Sequence, residues 1–221
     1  MLTGFPTKRG TGIAIYGDHA DLRCLYITAH KLAENHGHLT PAAHENVLMG
    51  FAYEVRKAYE GQRLNEPLVV FGAEVKYPGF NFLWTDILIL SNVAHRRASQ
   101  VNTDEFDHVN LLMIDRIIQE AMEAYDPVGA RQLRHFIGQR IDVSSPLLEQ
   151  ISEYVTAEYL SQKPSKKRFR SIKDMLIKFF PTYSNDHQQL SATFAVKALE
   201  LNCEPQDLQL ERSDTNDRIV W

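Results

Sequence analysis

Apolar and polar positions divide this chain into a short mixed opening and a long helical remainder. Ile13 and Ile15 are β-branched, alternate with smaller neighbours and follow Gly12, so residues 13–16 predict a strand entering a core. Leu22, Leu25, Tyr26, Ala29, Leu32 and Ala33 then recur at helical spacing and define one buried stripe. Asp18 stands where an N-cap belongs, and Asp21 adds negative charge to the helix's positive end. Asn35-His36-Gly37 reads as the end of that helix, with glycine at C′. Thr40-Pro41 predicts a cap followed by proline at N1, launching a second helix towards Tyr59. Its inward stripe is Val47, Leu48, Phe51, Val55, Ala58 and Tyr59.

Asn65-Glu66-Pro67 breaks the pattern. Leu68–Tyr77 and Phe80–Ala94 then predict two strands joined by a type II turn at Pro78-Gly79. The run Ile87-Leu88-Ile89-Leu90 suits a central strand covered on both faces. With residues 13–16 this makes a small, mostly antiparallel sheet of about three strands.

From Asp104 onward the period is helical. Phe106, Val109, Met113, Ile117 and Ala121 form one stripe, widened by Leu111, Ile114, Ile118 and Met122. Asp126-Pro127 interrupts, Val128–Arg140 continues as a shorter helix, and Ser145-Pro146 opens another that buries Leu148, Ile151, Val155 and Tyr159. Ser171–Phe180 and Asp186–Cys203 complete the set. The expected class is α+β: a small sheet with two helices, then a helical half on the same core. Residues 1–205 are expected to form a single domain and 206–221 a polar tail. Within that tail Ser213–Asp217 frays, while Ile219-Val220-Trp221 is an apolar end suited to docking.

Composition narrows the function classes. The chain has 221 residues, 44% hydrophobic and 24% charged, which is ordinary for a soluble globular protein with a sizeable core. A net charge of −4 gives no bulk attraction to nucleic acid or anionic membrane. Cys24 and Cys203 match no metal or redox spacing and read as reduced thiols, with Cys24 a small buried residue. The richest apolar run, Phe82–Leu90, contains Thr85 and Asp86 and falls short of a membrane span. No apolar stretch follows Lys8-Arg9, so no signal peptide is expected and the expected location is cytoplasmic.

Four features together carry a family resemblance. They are the start TGIAIYGDHADL, the hairpin with Trp84 and its apolar second strand, the helical half with Tyr125-Asp126-Pro127, and the basic block Lys166–Arg170. The chain resembles, along most of its length, an uncharacterised family of small bacterial proteins classed as a domain of unknown function. That resemblance implies no activity, ligand or site residue.

Residue chemistry supplies several candidates, each with a plain structural counterpart. The strand–Gly17–helix junction resembles a phosphate loop but lacks GxGxxG and GxxxxGK[ST], and Asp18 and Asp21 place carboxylates where a phosphate needs open donors. Five of nine histidines lie in the first 44 residues: His19, His30, His36, His38 and His44. His36, His38 and His44 could supply three imidazole nitrogens to a transition metal, and with it a metal-dependent hydrolase. No HExxH accompanies them. His36 and His38 equally suit a helix C-terminus, and His44 a solvated helix start. No cofactor is expected. Asp104, His108 and Asp115 share a helix face where a carboxylate could orient an imidazole, or they form a solvated polar face. Asp86, among Trp84, Ile87 and Leu88, is costly to bury unpaired; it either pairs with Arg96 or Arg97 or faces a pocket.

Residues 163–178 hold seven Lys/Arg and one acid, +6, whereas 101–162 hold four Lys/Arg and eleven acids, −7. Lys166, Lys167, Arg168 and Arg170 around Phe169 could contact phosphates, but the adjoining acidic segment can satisfy them internally. There is no GxSxG serine. The reading preferred from sequence is a non-enzymatic protein that binds a partner or a second copy of itself, through apolar residues exposed on its last helices or at Ile219–Trp221. Metal-dependent hydrolysis and nucleic-acid binding are the alternatives.

Overall fold

The predicted opening strand is β2, Gly12–Tyr16, and all five of its residues are buried. The computed structural model describes residues 2–34, 42–70, 72–209 and 219–221. Strand β2 lies inside a four-stranded antiparallel sheet of order β1-β2-β4-β3, with β1 at Thr3–Pro6, β3 at Leu64–Val70 and β4 at Ala73–Leu83. β1 carries little apolar alternation, and β3 runs through the expected break at Asn65-Glu66-Pro67. Pro67 is tolerated there because β3 is an edge strand.

Pro78-Gly79 is not a turn but the middle of β4, where Gly79 lies opposite Tyr16. A Cβ at Gly79 would stand 2.4 Å from the Tyr16 ring and 2.5 Å from the Ile15 carbonyl oxygen. Glycine is required there by strand approach. The reversal between β3 and β4 contains Gly72 at φ +79.

The larger correction concerns residues 84–94. They form a helix, α3 at Trp84–Ala98, and not the continuation of a strand. Trp84, Ile87, Leu88, Ile89, Leu90 and Val93 are all buried, so this helix is apolar around most of its circumference and shows no 3.6-residue stripe. A short apolar run of that kind has the same periodicity as a buried strand.

Helix α1, His19–Ala33, has the capping box implied by its first turn: the Asp21 amide donates to Asp18 Oδ1 at 2.8 Å, and the Asp18 amide to Asp21 Oδ2 at 3.2 Å. Its predicted end at Asn35-His36-Gly37 and the Thr40-Pro41 cap lie outside the described residues. Helix α2, Ala42–Tyr59, packs along α1. The helical half comprises α4 (Glu105–Tyr125), α5 (Pro127–Leu133), α6 (Leu148–Ser161), α7 (Lys166–Phe179) and α8 (Asn185–Leu201).

α4 is rotated from the first predicted stripe. Phe106 is 81% exposed and Val109 is exposed, while Leu111, Ile114, Ile117, Ile118 and Met122 face the core. The rotation is fixed where buried Asp107 meets α1: Thr28 Oγ1 donates to it at 2.8 Å and Lys31 Nζ at 2.6 Å. α5 stops before Arg140 because Gly138 and Arg140 both have positive φ, +66 and +72. α7 begins at Lys166, ahead of the expected Ser171, because Ser165 caps it. One hydrophobic core runs from Ile13 and Ile15 through Trp84 and Ile118 to Phe169 and Phe194. Among the described residues no helix is long and apolar enough to cross a membrane.

Candidate functional site

A cleft of about 360 Å³ opens between α2, the start of α3 and α6. Helical spacing builds two of its sides. Asn46, Val47, Gly50, Phe51, Tyr53 and Glu54 come from adjacent turns of α2, and Glu149, Ser152, Glu153 and Thr156 from one face of α6. The end of β4 adds Asn81, Phe82 and Leu83, α3 adds Asp86 and Ile89, and Trp221 completes the wall. No Lys, Arg or His lines it among the described residues.

The polar groups of the wall are held by specific contacts. Glu54 is 8% exposed, and Arg63 donates to both of its carboxylate oxygens, from Nε at 2.7 Å and from Nη2 at 3.0 Å. Asp86 Oδ1 accepts from Thr156 at 2.7 Å and from Thr85 at 3.2 Å. Glu149 accepts from Asn46 Nδ2 at 2.8 Å. Asp86 and Glu149 both stand in the first turn of their helices, where the dipole favours negative charge. The Ser152 hydroxyl donates to the Leu148 carbonyl of its own helix at 2.6 Å. Outside the cleft, Arg56 and Lys57 lie 5.4 Å from the centre of the Tyr53 ring. Gly50 sits mid-helix, and a Cβ built there meets nothing within 4 Å.

The histidines separate. His36 and His38 lie outside the described residues. His44 is 2% exposed, not solvated, and its Nε2 is 2.6 Å from the Val143 carbonyl. A carbonyl only accepts, so Nε2 carries a hydrogen. Burial holds its pKa below the usual histidine value, helped by the positive charges of Arg97 and Arg96. His19 and His30 pack against the rings of Tyr59 and Tyr26. Among the described residues no three His, Cys, Asp or Glu side chains gather as a metal-holding group.

Asp104, His108 and Asp115 also part company. Asp104 caps α4 and pairs with Lys31 at 2.9 Å, and His108 Nε2 lies 3.1 Å from Thr103 Oγ1. Asp115 turns to α3, where it accepts from Ser91 Oγ at 2.7 Å and meets His95 Nε2 at 2.7 Å. That hydrogen bond raises the His95 pKa. The carboxylate stands between serine and imidazole, so His95 is not the base of a serine nucleophile. The Gly138 amide donates to Ser91 Oγ at 2.8 Å, tying the loop after α5 to this cluster. Sequence reading missed it because its members come from two helices and a loop.

Asp86 lines the cleft, one of the two outcomes expected for it. Arg97 donates to the backbone carbonyls of Leu32 at 2.9 Å and Glu34 at 2.7 Å. In the basic block, Arg168 is 3% exposed, with its guanidinium 4.5 Å from the centre of the Tyr159 ring. Arg170 donates to both oxygens of buried Asp126 at 2.6 and 2.9 Å. Lys166 and Lys167 remain exposed. Cys24 and Cys203 are both exposed, which corrects the buried placement expected of Cys24.

Fold and cleft together define an α+β protein with a ligand-sized opening beside an antiparallel sheet. The chain belongs to DUF6904, a domain of unknown function, which it matches over residues 2–221. No curated protein and no solved structure matches the chain.

Proposed function

We propose that this chain is a non-catalytic binding module whose ligand occupies the cleft between α2, α3 and α6. The observation that carries the reading is the wall: apolar Phe51, Phe82 and Ile89 beside fixed acceptors, around a volume of about 360 Å³. Clefts of roughly 300–1,000 Å³ suit small organic molecules. Asp86 and Glu149 present carboxylate oxygens, which accept hydrogen bonds, at the first turns of α3 and α6. A ligand with an apolar body and a donor-rich head fits. Binding without chemistry is supported by the engagement of Glu54 with Arg63, of Glu149 with Asn46 and of Ser152 with its own helix. Two exposed free cysteines support a reducing, cytoplasmic setting.

Titration calorimetry with phenethylammonium, an ammonium on an aromatic body, tests this against phenylacetate. Saturable binding of the cation that is lost in Gly50→Leu is the expected result. Preference for phenylacetate, or binding untouched by Gly50→Leu, defeats the reading.

A separate observation favours self-association as a second mode of binding. Ala192, Ala195, Val196 and Leu199 follow i, i+3, i+4, i+7 spacing on α8 and are exposed, while Phe194 and Ala198 are buried against the body. Sedimentation equilibrium is expected to show a dimer that Leu199→Glu abolishes. A monomer at the highest attainable concentration removes this mode.

A further inference from the structure

We propose that the ligand of the cleft is an extended peptide segment that adds as a strand to the uncovered edge of β4, an inference that rests on the cleft being the ligand site. The ladder between β2 and β4 fixes which backbone groups are free. Antiparallel residue pairs alternate between exchanging hydrogen bonds and turning their N–H and C=O groups away. The Gly17 amide donates to the Pro78 carbonyl at 3.2 Å, and the Trp84 amide to the Thr11 carbonyl at 3.5 Å. In the same register Phe80 lies opposite Ile15 and Phe82 opposite Ile13, so these are bonded pairs. Asn81 and Leu83 alternate with them, and their N–H and C=O groups point to the far side of β4. On that side β3 begins only at Leu64, opposite Gly79. The chain before it is committed to the end of α2. The Gly61 amide donates to the Ala58 carbonyl at 2.9 Å, the Gln62 amide to that of Lys57 at 2.8 Å, and Gly61 has φ +74. From Asn81 to Leu83, β4 is left without a neighbouring strand on this side, and these residues line the cleft.

Leu83 is the N-cap of α3, so its carbonyl serves the helix. The edge therefore offers three groups: the Asn81 N–H, the Asn81 carbonyl and, two residues or about 7 Å along the strand, the Leu83 N–H. Among the described residues no loop or turn group donates to or accepts from them. Leu83 is 5% exposed, and a backbone donor so placed is costly to leave unpaired. An extended peptide running antiparallel to β4, in line with β3, matches all three. One of its residues exchanges two hydrogen bonds with Asn81, and the carbonyl two residues before it accepts from Leu83. The residue between them stands opposite Phe82, on the face where the ring centres of Phe51 and Phe82 are 5.5 Å apart. An apolar side chain there enters the cleft, while its two neighbours share the face of Asn81. The matching pattern is polar–apolar–polar, and it ends opposite Asn81 because Leu64 occupies the next bonded position.

The full chain and acetyl-Thr-Phe-Thr-amide, uncharged at both ends, test this by chemical-shift titration and amide hydrogen exchange in NMR. Saturation is expected to slow exchange of the Asn81 and Leu83 amides by about ten-fold or more. The Phe80 and Phe82 amides, already bonded to β2, are expected to stay within about two-fold. N-methylation of the second Thr removes the donor to the Asn81 carbonyl and is expected to weaken binding by about ten-fold. N-methylation of the Phe, whose N–H faces away from β4, is expected to change binding by less than about two-fold. Equal effects of the two methylations, or no slowing at Asn81 and Leu83 on saturation, overturn strand addition. If the peptide fails to bind while phenethylammonium binds and Gly50→Leu abolishes that binding, strand addition fails and the cleft reading stands. If Gly50→Leu leaves binding of both probes unchanged, the cleft reading fails and strand addition falls with it.

Discussion

Replacing Gly50 with alanine is the most direct probe of why the cleft exists. A mid-helix glycine costs about 0.5–1 kcal/mol relative to alanine, because it loses more backbone freedom on folding. Gly50 lies well inside α2, and its added Cβ would meet no atom within 4 Å. No steric penalty offsets the gain, so Gly50→Ala is expected to stabilise the fold by about 0.5–1 kcal/mol. For a chain of this size that corresponds to a rise in Tm of roughly 1–4 °C. Urea unfolding followed by circular dichroism measures it, with an unchanged m-value showing that the same surface is exposed in both proteins. A destabilised Gly50→Ala would refute the reasoning, since it would mean that position 50 has a neighbour or a backbone requirement the geometry does not contain. Gly50→Leu extends the test. It puts a branched side chain on the same open side of a helix that tolerates leucine well, so lost binding is attributable to a filled cleft and not to unfolding.

The Asp126–Arg170 pair decides how much of the basic block serves the fold. Arg170→Met removes both guanidinium hydrogen bonds from the buried Asp126 carboxylate and is expected to lower the midpoint of urea unfolding; a neutral result would return Arg170 to the surface-binding candidates. The Arg170 hydrogen bond also holds the Asp126 pKa below the usual carboxylate range, so its stabilisation is complete above about pH 4 and is lost as pH falls through the lower folded value. Arg170→Met should therefore flatten the acid limb of a stability–pH profile. His95 and His44 act in opposite senses around their ordinary value of about 6.5. The Asp115 hydrogen bond raises the His95 pKa, so its contribution is full below about pH 6.5 and disappears as pH rises through the folded value. Burial lowers that of His44, so stability is lost as pH falls below about 6.5, where the unfolded chain takes up the proton first. Proton NMR titration should place His95 above and His44 below the ordinary value; the reverse order would contradict both assignments.

Much of the fold was legible where local chemistry and tertiary environment agree. Asp18 and Asp21 specify a capping box within a few residues of chain, and the stripe Leu22–Leu25–Ala29–Leu32 is buried as its spacing requires. Asp126-Pro127 likewise ends α4 and caps α5 through a local hydrogen bond to Gly129. These signals need no distant partner, and the α+β class follows from them. Where burial is complete, period vanishes. Trp84–Ala98 is apolar nearly all round and reads equally as a strand, until β2, α4 and α6 enclose it as a helix. Phe106 and Val109 show the converse: their spacing suits a core, but the ties of Asp107 to Thr28 and Lys31 turn them outward. The functional candidates divide in the same way. Composition offered a +6 block and a histidine run, yet pairing decides their roles, since Arg168 and Arg170 are committed inside the fold and His44 to a carbonyl from a distant loop. The cleft was beyond sequence altogether. Its wall joins residues from position 46 to Trp221, and only packing of α2 against α3 and α6 brings Glu54, Asp86, Glu149 and the indole to one opening. Local elements and their caps are legible from the residues in order, because they depend on neighbours along the chain. Packing in three dimensions sets which polar groups stabilise the fold and which line the cleft, because that depends on neighbours in space.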